Sequence, residues 1–168
     1  KASIRDNNPV LFFEHKFLYR RIKEELPTED YVVPLGQAVV RRPGKHLTLI
    51  SYGAMMHVSL EAAEALAKEG IEAEVIDLRT LMPLDEDAVL RSVRKTNRCL
   101  VVHEDTKTGG LAGEIAAILF EKAFQDLDGP LVRVASLDTP VPYAPSLEEA
   151  FLPNAQKVFV AAKSLAGY

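Results

Sequence analysis

Residues 73–103 read AEVIDLRTLMPLDEDAVLRSVRKTNRCLVVH, and the fold turns on this stretch. It opens on Ala73–Leu78 and closes on Cys99–His103, two short and largely apolar runs. Runs of this kind suit strands buried on both faces of a parallel sheet, where no solvent face imposes alternation. Between them, Pro83 precedes a helical pattern with Asp85, Glu86 and Asp87 in its first turn and Arg91, Arg94 and Lys95 in its last. That order of charge complements the helix dipole at both ends.

Outward from this unit the same rhythm continues. Val10–Phe13, Leu47–Ser51 and Leu131–Ala135 read as further strands. Met56, Leu60, Ala63, Leu66 and Ala67 form one apolar helical stripe that Gly70 stops. A third helix opens at Gly109-Gly110 and aligns Leu111, Ile115, Ile118, Leu119 and Ala123. A last one follows Pro153-Asn154 with Val158, Ala162 and Leu165 inward. Alternating strand and helix predicts an open α/β domain with a mostly parallel sheet. Arg41-Arg42-Pro43-Gly44-Lys45 joins Ala38–Val40 to Leu47–Ser51, and an antiparallel edge hairpin is expected there. Glu14–Gly36 is charged, carries Pro27 and Pro34, and reads as a linker at a domain boundary. Lys1–Asn8 shows neither an initiator Met nor an apolar signal core, so the chain is expected to be a fragment lacking its N-terminal part.

Composition narrows the class. In 168 residues, 48% are hydrophobic and 26% charged, enough apolar matter for a core and too much for a disordered chain. No apolar run approaches the roughly 20 residues of a membrane span. A net charge of -4 argues against nucleic acid as a partner. A single cysteine, Cys99, excludes a disulfide framework and a thiolate zinc cluster, and its apolar setting makes it an inert core thiol. A soluble intracellular protein is expected.

Candidate chemistry is sparse. Gly109-Gly110-Leu111-Ala112-Gly113 lies between strand and helix, where free N–H groups can take a phosphate. The spacing is not the dinucleotide fingerprint and no Walker lysine follows, so a tight turn accounts for it better. His15, His46, His57 and His103 show no metal spacing. His103-Glu104-Asp105 follows a strand end, where open α/β folds place ligands, yet no reaction partner is identifiable. His103 and Glu104 are therefore read as an interface pair that caps or cross-links loops. Ser51 lacks the glycine that a nucleophile elbow needs two residues before it, since Leu49 stands there. The turn Asp138-Thr139-Pro140-Val141-Pro142-Tyr143-Ala144-Pro145 is rigid and carries an aromatic residue, which suits partner binding at small entropic cost or a simple crossing to the last helix. No catalytic, cofactor-binding or metal residue is assigned. On the residues alone, this is a binding or assembly module.

Several segments together resemble one family. Asn8-Pro9-Val10-Leu11-Phe12-Phe13-Glu14-His15-Lys16 with Leu18-Tyr19-Arg20 is similar to a signature of the beta subunits of 2-oxo acid dehydrogenases. So are Glu74–Leu81 with Pro83-Leu84-Asp85, Val102-His103-Glu104 with Thr108-Gly109-Gly110, Leu137-Asp138-Thr139-Pro140, and Phe151-Leu152-Pro153-Asn154. Their order holds over nearly the whole chain. The resemblance implies that residues 1–16 are the tail of a pyrimidine-binding domain and 17–36 a linker. It makes 37–168 a transketolase-type C-terminal domain, with a mostly parallel five-stranded sheet, one antiparallel strand and flanking helices.

It further implies a thiamine-diphosphate and magnesium enzyme that decarboxylates a 2-oxo acid and passes the acyl group to a lipoyl arm. In the family the activating glutamate and active-site histidine belong to the preceding domain, so no residue here inherits those roles. The implied partners are an alpha subunit, a second beta subunit and the subunit-binding domain of the lipoyl acyltransferase. Asp138, Tyr143, Glu148 and the Tyr168 carboxylate are expected at or near those surfaces. The motifs lean towards branched-chain 2-oxo acids, with pyruvate and acetoin enzymes as relatives. The implied location is the cytoplasm, or the mitochondrial matrix in a eukaryote. The competing reading is a stand-alone flavodoxin-like or receiver-like module, for which Leu47–Gly53 offers neither clustered aspartates nor a good phosphate loop.

Overall fold

The computed structural model describes all 168 residues, Lys1–Tyr168. Five strands, β1 (Val39–Arg42), β2 (Leu47–Ser51), β3 (Ala73–Asp77), β4 (Cys99–Thr106) and β5 (Val132–Ser136), form one sheet in the order β1-β3-β2-β4-β5. The β2–β3, β2–β4 and β4–β5 pairs are parallel, and β1 lies antiparallel on the β3 edge. The helices are α1 (Ala2–Arg5), α2 (Ala54–Lys68), α3 (Glu86–Thr96), α4 (Ala112–Ala123), α5 (Pro145–Phe151) and α6 (Ala155–Ala166).

The central strands carry apolar residues on both faces because both are covered. Leu47, Leu49, Val75, Leu100 and Val102 meet α2 and α6 in one core, and Ile50, Ile76, Cys99 and Val101 meet α3 and α4 in the other. Each fully buried Leu or Ile is worth about 1.5–3 kcal/mol relative to exposure, so the two cores carry most of the stability. Helix ends follow their sequence signals. The Asp85 side chain caps α3 by accepting from the Ala88 amide at 3.0 Å, and Asn97 ends it in the left-handed region. Asn154 caps α6 by accepting from the Lys157 amide at 2.9 Å.

Three expectations change. Ala38–Val40 does not form a hairpin with Leu47–Ser51. The connecting turn delivers its amides elsewhere, Lys45 and His46 N–H both donating to the Glu72 carbonyl at 2.9 and 3.0 Å, and β1 pairs with β3 instead. Val10–Phe13 is extended but belongs to no sheet, since no strand of this chain lies beside it. The proline-rich crossing contains α5, which starts on Pro145 and buries Phe151. The segment before β1 carries only a 3-10 turn at Lys16–Arg20. No helix is long and apolar enough to cross a membrane.

A buried polar cluster, not visible in the sequence pattern, ties α3 to the sheet. Thr48 Oγ1 lies 2.7 Å from both Ser92 Oγ and Thr96 Oγ1. Ser92 donates to the Glu74 carboxylate at 2.5 Å, and Lys95 closes an ion pair with the same group. Every member has a partner, which is the condition for such a network to be tolerated in a core.

Candidate functional site

From β2 the chain crosses to β3 on one side of the sheet, and from β4 to β5 on the other. In an open α/β sheet the crevice for ligands lies at such a reversal, outside the carboxyl ends of the strands. Here those ends bring together Tyr52, Gly53, His103, Glu104 and Asp105, the Thr106–Gly110 turn, and His15 from the N-terminal segment.

His103 is fully buried, and neither ring nitrogen has a hydrogen-bond partner. Gly110 lies directly over the ring, where a Cβ would stand 2.4 Å from Cε1. That close approach explains the second glycine of the turn. Within this chain the ring joins no loops by hydrogen bonds. Burial holds its pKa below 6.5, with Arg133 acting the same way and Asp105 opposing. The unfolded chain therefore binds a proton that the folded chain resists, and stability falls as pH descends below about 6.5. For one such group the slope does not exceed about 1.4 kcal/mol per pH unit. Urea titrations at pH 7.5 and 5.5 check this, since His103→Phe is expected to lose less stability than the parent between the two pH values. Equal losses would show that His103 is not the group responsible.

Thr108, which leads into the Gly109–Gly110 turn, is bound by an internal anion. The Asp138 carboxylate accepts from the Thr108 amide at 2.9 Å and from its hydroxyl at 2.7 Å, and these bonds hold its carboxyl below the usual range. The Ser136 hydroxyl donates to the Glu104 carbonyl at 2.6 Å, and the Lys107 amide to the Ser136 carbonyl at 3.2 Å. Asp138 thus braces one loop against another. Tyr143 is fully exposed, and Glu148 is exposed on α5. Tyr168 lies elsewhere. Gly129 precedes β5, and its Cβ position falls 3.1 Å from the Tyr168 Cβ, which puts Tyr168 at the opposite end of that strand from Asp138. The four expected partner residues do not form one patch.

Glu104 meets His15, Oε2 to Nε2, at 2.8 Å. Tyr52 is half-buried, and burial first, then Asp105 and Glu104, raise its phenol pKa. Burial likewise raises Asp77, while Arg79, whose amide it accepts at 3.3 Å, pulls it down. Burial pushes the Cys99 thiol up to about 12, as its apolar surroundings predict.

The family model for the transketolase C-terminal domain matches residues 36–158. The chain belongs to the transketolase C-terminal domain family. The chain is 50% identical over its whole length to the 2-oxoisovalerate dehydrogenase subunit beta of Bacillus subtilis (strain 168), covering 52% of that protein. It is 46% identical to the pyruvate dehydrogenase E1 component subunit beta of the same organism, over 98% of this chain and 50% of the relative. It is also 46% identical to the acetoin:2,6-dichlorophenolindophenol oxidoreductase subunit beta of Cupriavidus necator, over 96% of this chain and 47% of the relative. A split gene transketolase, solved as an inactive beta4 tetramer, superposes with a TM-score of 0.72 at 29% identity, over 86% of this chain and 46% of that one. The chain spans about half the length of these relatives.

As it stands, this transketolase C-terminal domain is a poor seat for a diphosphate and magnesium. The glycine turn ahead of α4 has its Thr108 donors taken by Asp138, and no three His, Cys, Asp or Glu side chains converge to hold a metal ion. What the domain does offer is a set of well-braced surfaces. One of them was not legible beforehand: Phe120 and Phe124, 67% and 60% exposed with ring centroids 5.0 Å apart, border a groove with Leu127, Asp128, Gly129 and Leu131.

Proposed function

We propose that the chain is the assembly half of the beta subunit of a thiamine-diphosphate-dependent 2-oxo acid dehydrogenase acting on branched-chain substrates. The observation that carries this reading is the 50% identity to a 2-oxoisovalerate dehydrogenase beta subunit along the entire chain. Pyruvate is the second substrate to consider, on the 46% identity to a pyruvate dehydrogenase beta subunit. On this reading residues 1–16 end a preceding pyrimidine-binding domain, 17–36 are the linker, and 37–168 are the domain that pairs beta subunits. The cofactor, its magnesium and the proton-transferring residues belong to the preceding domain and the alpha subunit. The location is the cytoplasm, or the mitochondrial matrix in a eukaryote.

The acyltransferase's subunit-binding domain is the third partner, and two surfaces compete for it. The first is the loop of Asp138, Tyr143 and Glu148. The second is the groove of Phe120, Phe124 and Asp128, which lies beside Gly129 and Tyr168. The groove combines an apolar floor with an acidic rim, since Asp126 engages Arg94 at 3.2 Å while no such partner meets Asp128. That combination suits a basic module carrying an apolar anchor.

The test is titration calorimetry of the assembled enzyme with the isolated subunit-binding domain. Asp128→Lys and removal of Tyr168 are each expected to weaken binding tenfold or more, by ~1.4 kcal/mol. Asp138→Lys is expected to change it less. The reverse order would return docking to the proline-rich loop. For the substrate, kcat/KM for 3-methyl-2-oxobutanoate over pyruvate should favour the former by roughly tenfold or more. A preference for pyruvate would replace the branched-chain assignment.

A further inference from the structure

The ligand crevice of this fold, at the carboxyl ends of β2 and β4, holds a piece of the chain itself. His15 reaches Glu104 there, with the two side chains 33% and 39% exposed. The His15 Nδ1 is buried without a partner, so the Glu104 carboxylate is the single polar tether of the ring. Glu104 is itself held in place, because its carbonyl accepts from Ser136 at 2.6 Å. Immediately after His15 the chain is docked a second time. Leu18 of the Lys16–Arg20 turn packs against the core under α2 and α6, and Arg21 lies 3.8 Å from the Phe17 ring centroid. Immediately before His15 the opposite holds. Leu11, Phe12 and Phe13 are 85%, 72% and 87% exposed, an extended apolar ribbon with no strand of this chain beside it.

A carboxylate–imidazole hydrogen bond is among the stronger contacts available at a half-exposed site. Phe13 is two residues from it, within about 7 Å along an extended chain. Whatever sheet takes up Val10–Phe13 is therefore located relative to this domain by the His15–Glu104 contact.

We propose that Glu104 is a positioning residue that, through His15, fixes the Pro9–Phe13 ribbon, and with it the domain that ribbon belongs to, over the carboxyl ends of the sheet. This rests on reading residues 1–16 as the end of a preceding domain. The crevice is then a domain seam, and Glu104 acts on catalysis at a distance, since misplacement of order 1 Å far from the reacting atoms can cost up to about a hundredfold in rate.

The experiment uses the full-length beta subunit assembled with its alpha partner, with Glu104→Ala, Glu104→Gln, His15→Ala and the Glu104→Ala/His15→Ala double variant. Hydrogen exchange of amides 10–18 is expected to quicken about tenfold in either alanine variant, and no further in the double variant, because both remove one contact. Glu104→Gln, which keeps an acceptor for the ring, is expected to recover part of the protection. Unchanged exchange at Leu100–Val102 verifies that the sheet remains intact. In the same variants kcat is expected to fall about tenfold, with KM for the 2-oxo acid unchanged. Exchange effects that add, or no change at 10–18, would overturn the tether. A loosened ribbon with kcat intact would overturn the positioning role. An assembled parent that does not decarboxylate 2-oxo acids would count against the proposed function, and the exchange arm would still decide the tether.

Discussion

Gly44→Ala is expected to lower the unfolding free energy by about 3 kcal/mol, at the upper end of what inserting a methyl into a packed site usually costs. A Cβ at Gly44 would stand 2.1 Å from the Glu74 nitrogen and 2.2 Å from the Ala73 carbonyl carbon. Both are backbone atoms of β3, a strand paired on each side, so neither can swing away as a flexible side chain would. To relieve the contact, the turn between β1 and β2 must lift off β3. That movement endangers the Lys45 and His46 bonds to the Glu72 carbonyl and the 2.8 Å bond from the Glu72 amide to His46 Nδ1. For a protein of this length such a loss shifts the melting midpoint down by roughly 6–12 °C. Gly113→Ala is the control, because the added methyl meets nothing within 4 Å and the site lies in α4. It is expected to raise stability by up to about 1 kcal/mol through helix propensity. Thermal melts of the two variants side by side check the pair. Equal behaviour would mean that the turn does not press on β3 as described.

Gly110→Ala is expected to cost about 2–3 kcal/mol, for a different reason. The new methyl would collide with the His103 ring at 2.4 Å and with the Thr106 carbonyl oxygen at 2.5 Å. One obstacle is a side chain and the other is backbone, so they can be separated. His103→Ala removes the ring and leaves the carbonyl. In the double variant the Gly110→Ala penalty should therefore shrink by about 1 kcal/mol without vanishing, a coupling typical of residues in contact. Urea unfolding of the four proteins closes the cycle. Strict additivity would show that the ring is not what excludes a side chain at position 110.

These glycines mark the boundary of what the sequence could tell. The four parallel strands were legible because each carries a short, largely apolar run, the pattern that burial of the central strands on both faces favours. Four of the helices, α2, α3, α4 and α6, announced themselves by their apolar stripes or by charges and caps at their ends. The partner of β1 was not legible. Pro43-Gly44 has the composition of a hairpin turn, but the Lys45 and His46 amides that follow it donate to Glu72, well beyond the reach of a local pattern. Val10–Phe13 misled for the complementary reason: strand composition says that a segment wants a sheet, not that this chain supplies one. α5 was hidden because three prolines suggested a rigid crossing, although Pro145 is well suited to a first helical turn.

The candidate site was legible as a location and not as a set of contacts. Strand ends could be counted only approximately: His103-Glu104-Asp105 was expected just past a strand end, whereas β4 runs on to Thr106 and holds all three in its carboxyl half. The bond between Glu104 and His15 spans 89 positions and leaves no local trace. Asp138 stood out as an acidic residue in a rigid turn, but its oxygens are occupied by Thr108, which no spacing rule connects to it.

The order of the strands also governs what happens while the chain is being made. β1 emerges first, yet its only partner is β3, whose first residue lies 31 positions after the end of β1 at Arg42. At ribosomal speeds of about 5–20 residues per second, β1 waits for roughly 2–6 seconds with its backbone groups unpaired. It passes that interval as a four-residue strand ending in two arginines and followed by Pro43, a short, charged edge with little to offer a neighbouring nascent chain. Arg41 and Arg42 thus guard the strand on the ribosome before Arg42 settles onto Glu72 and the Ala73 carbonyl.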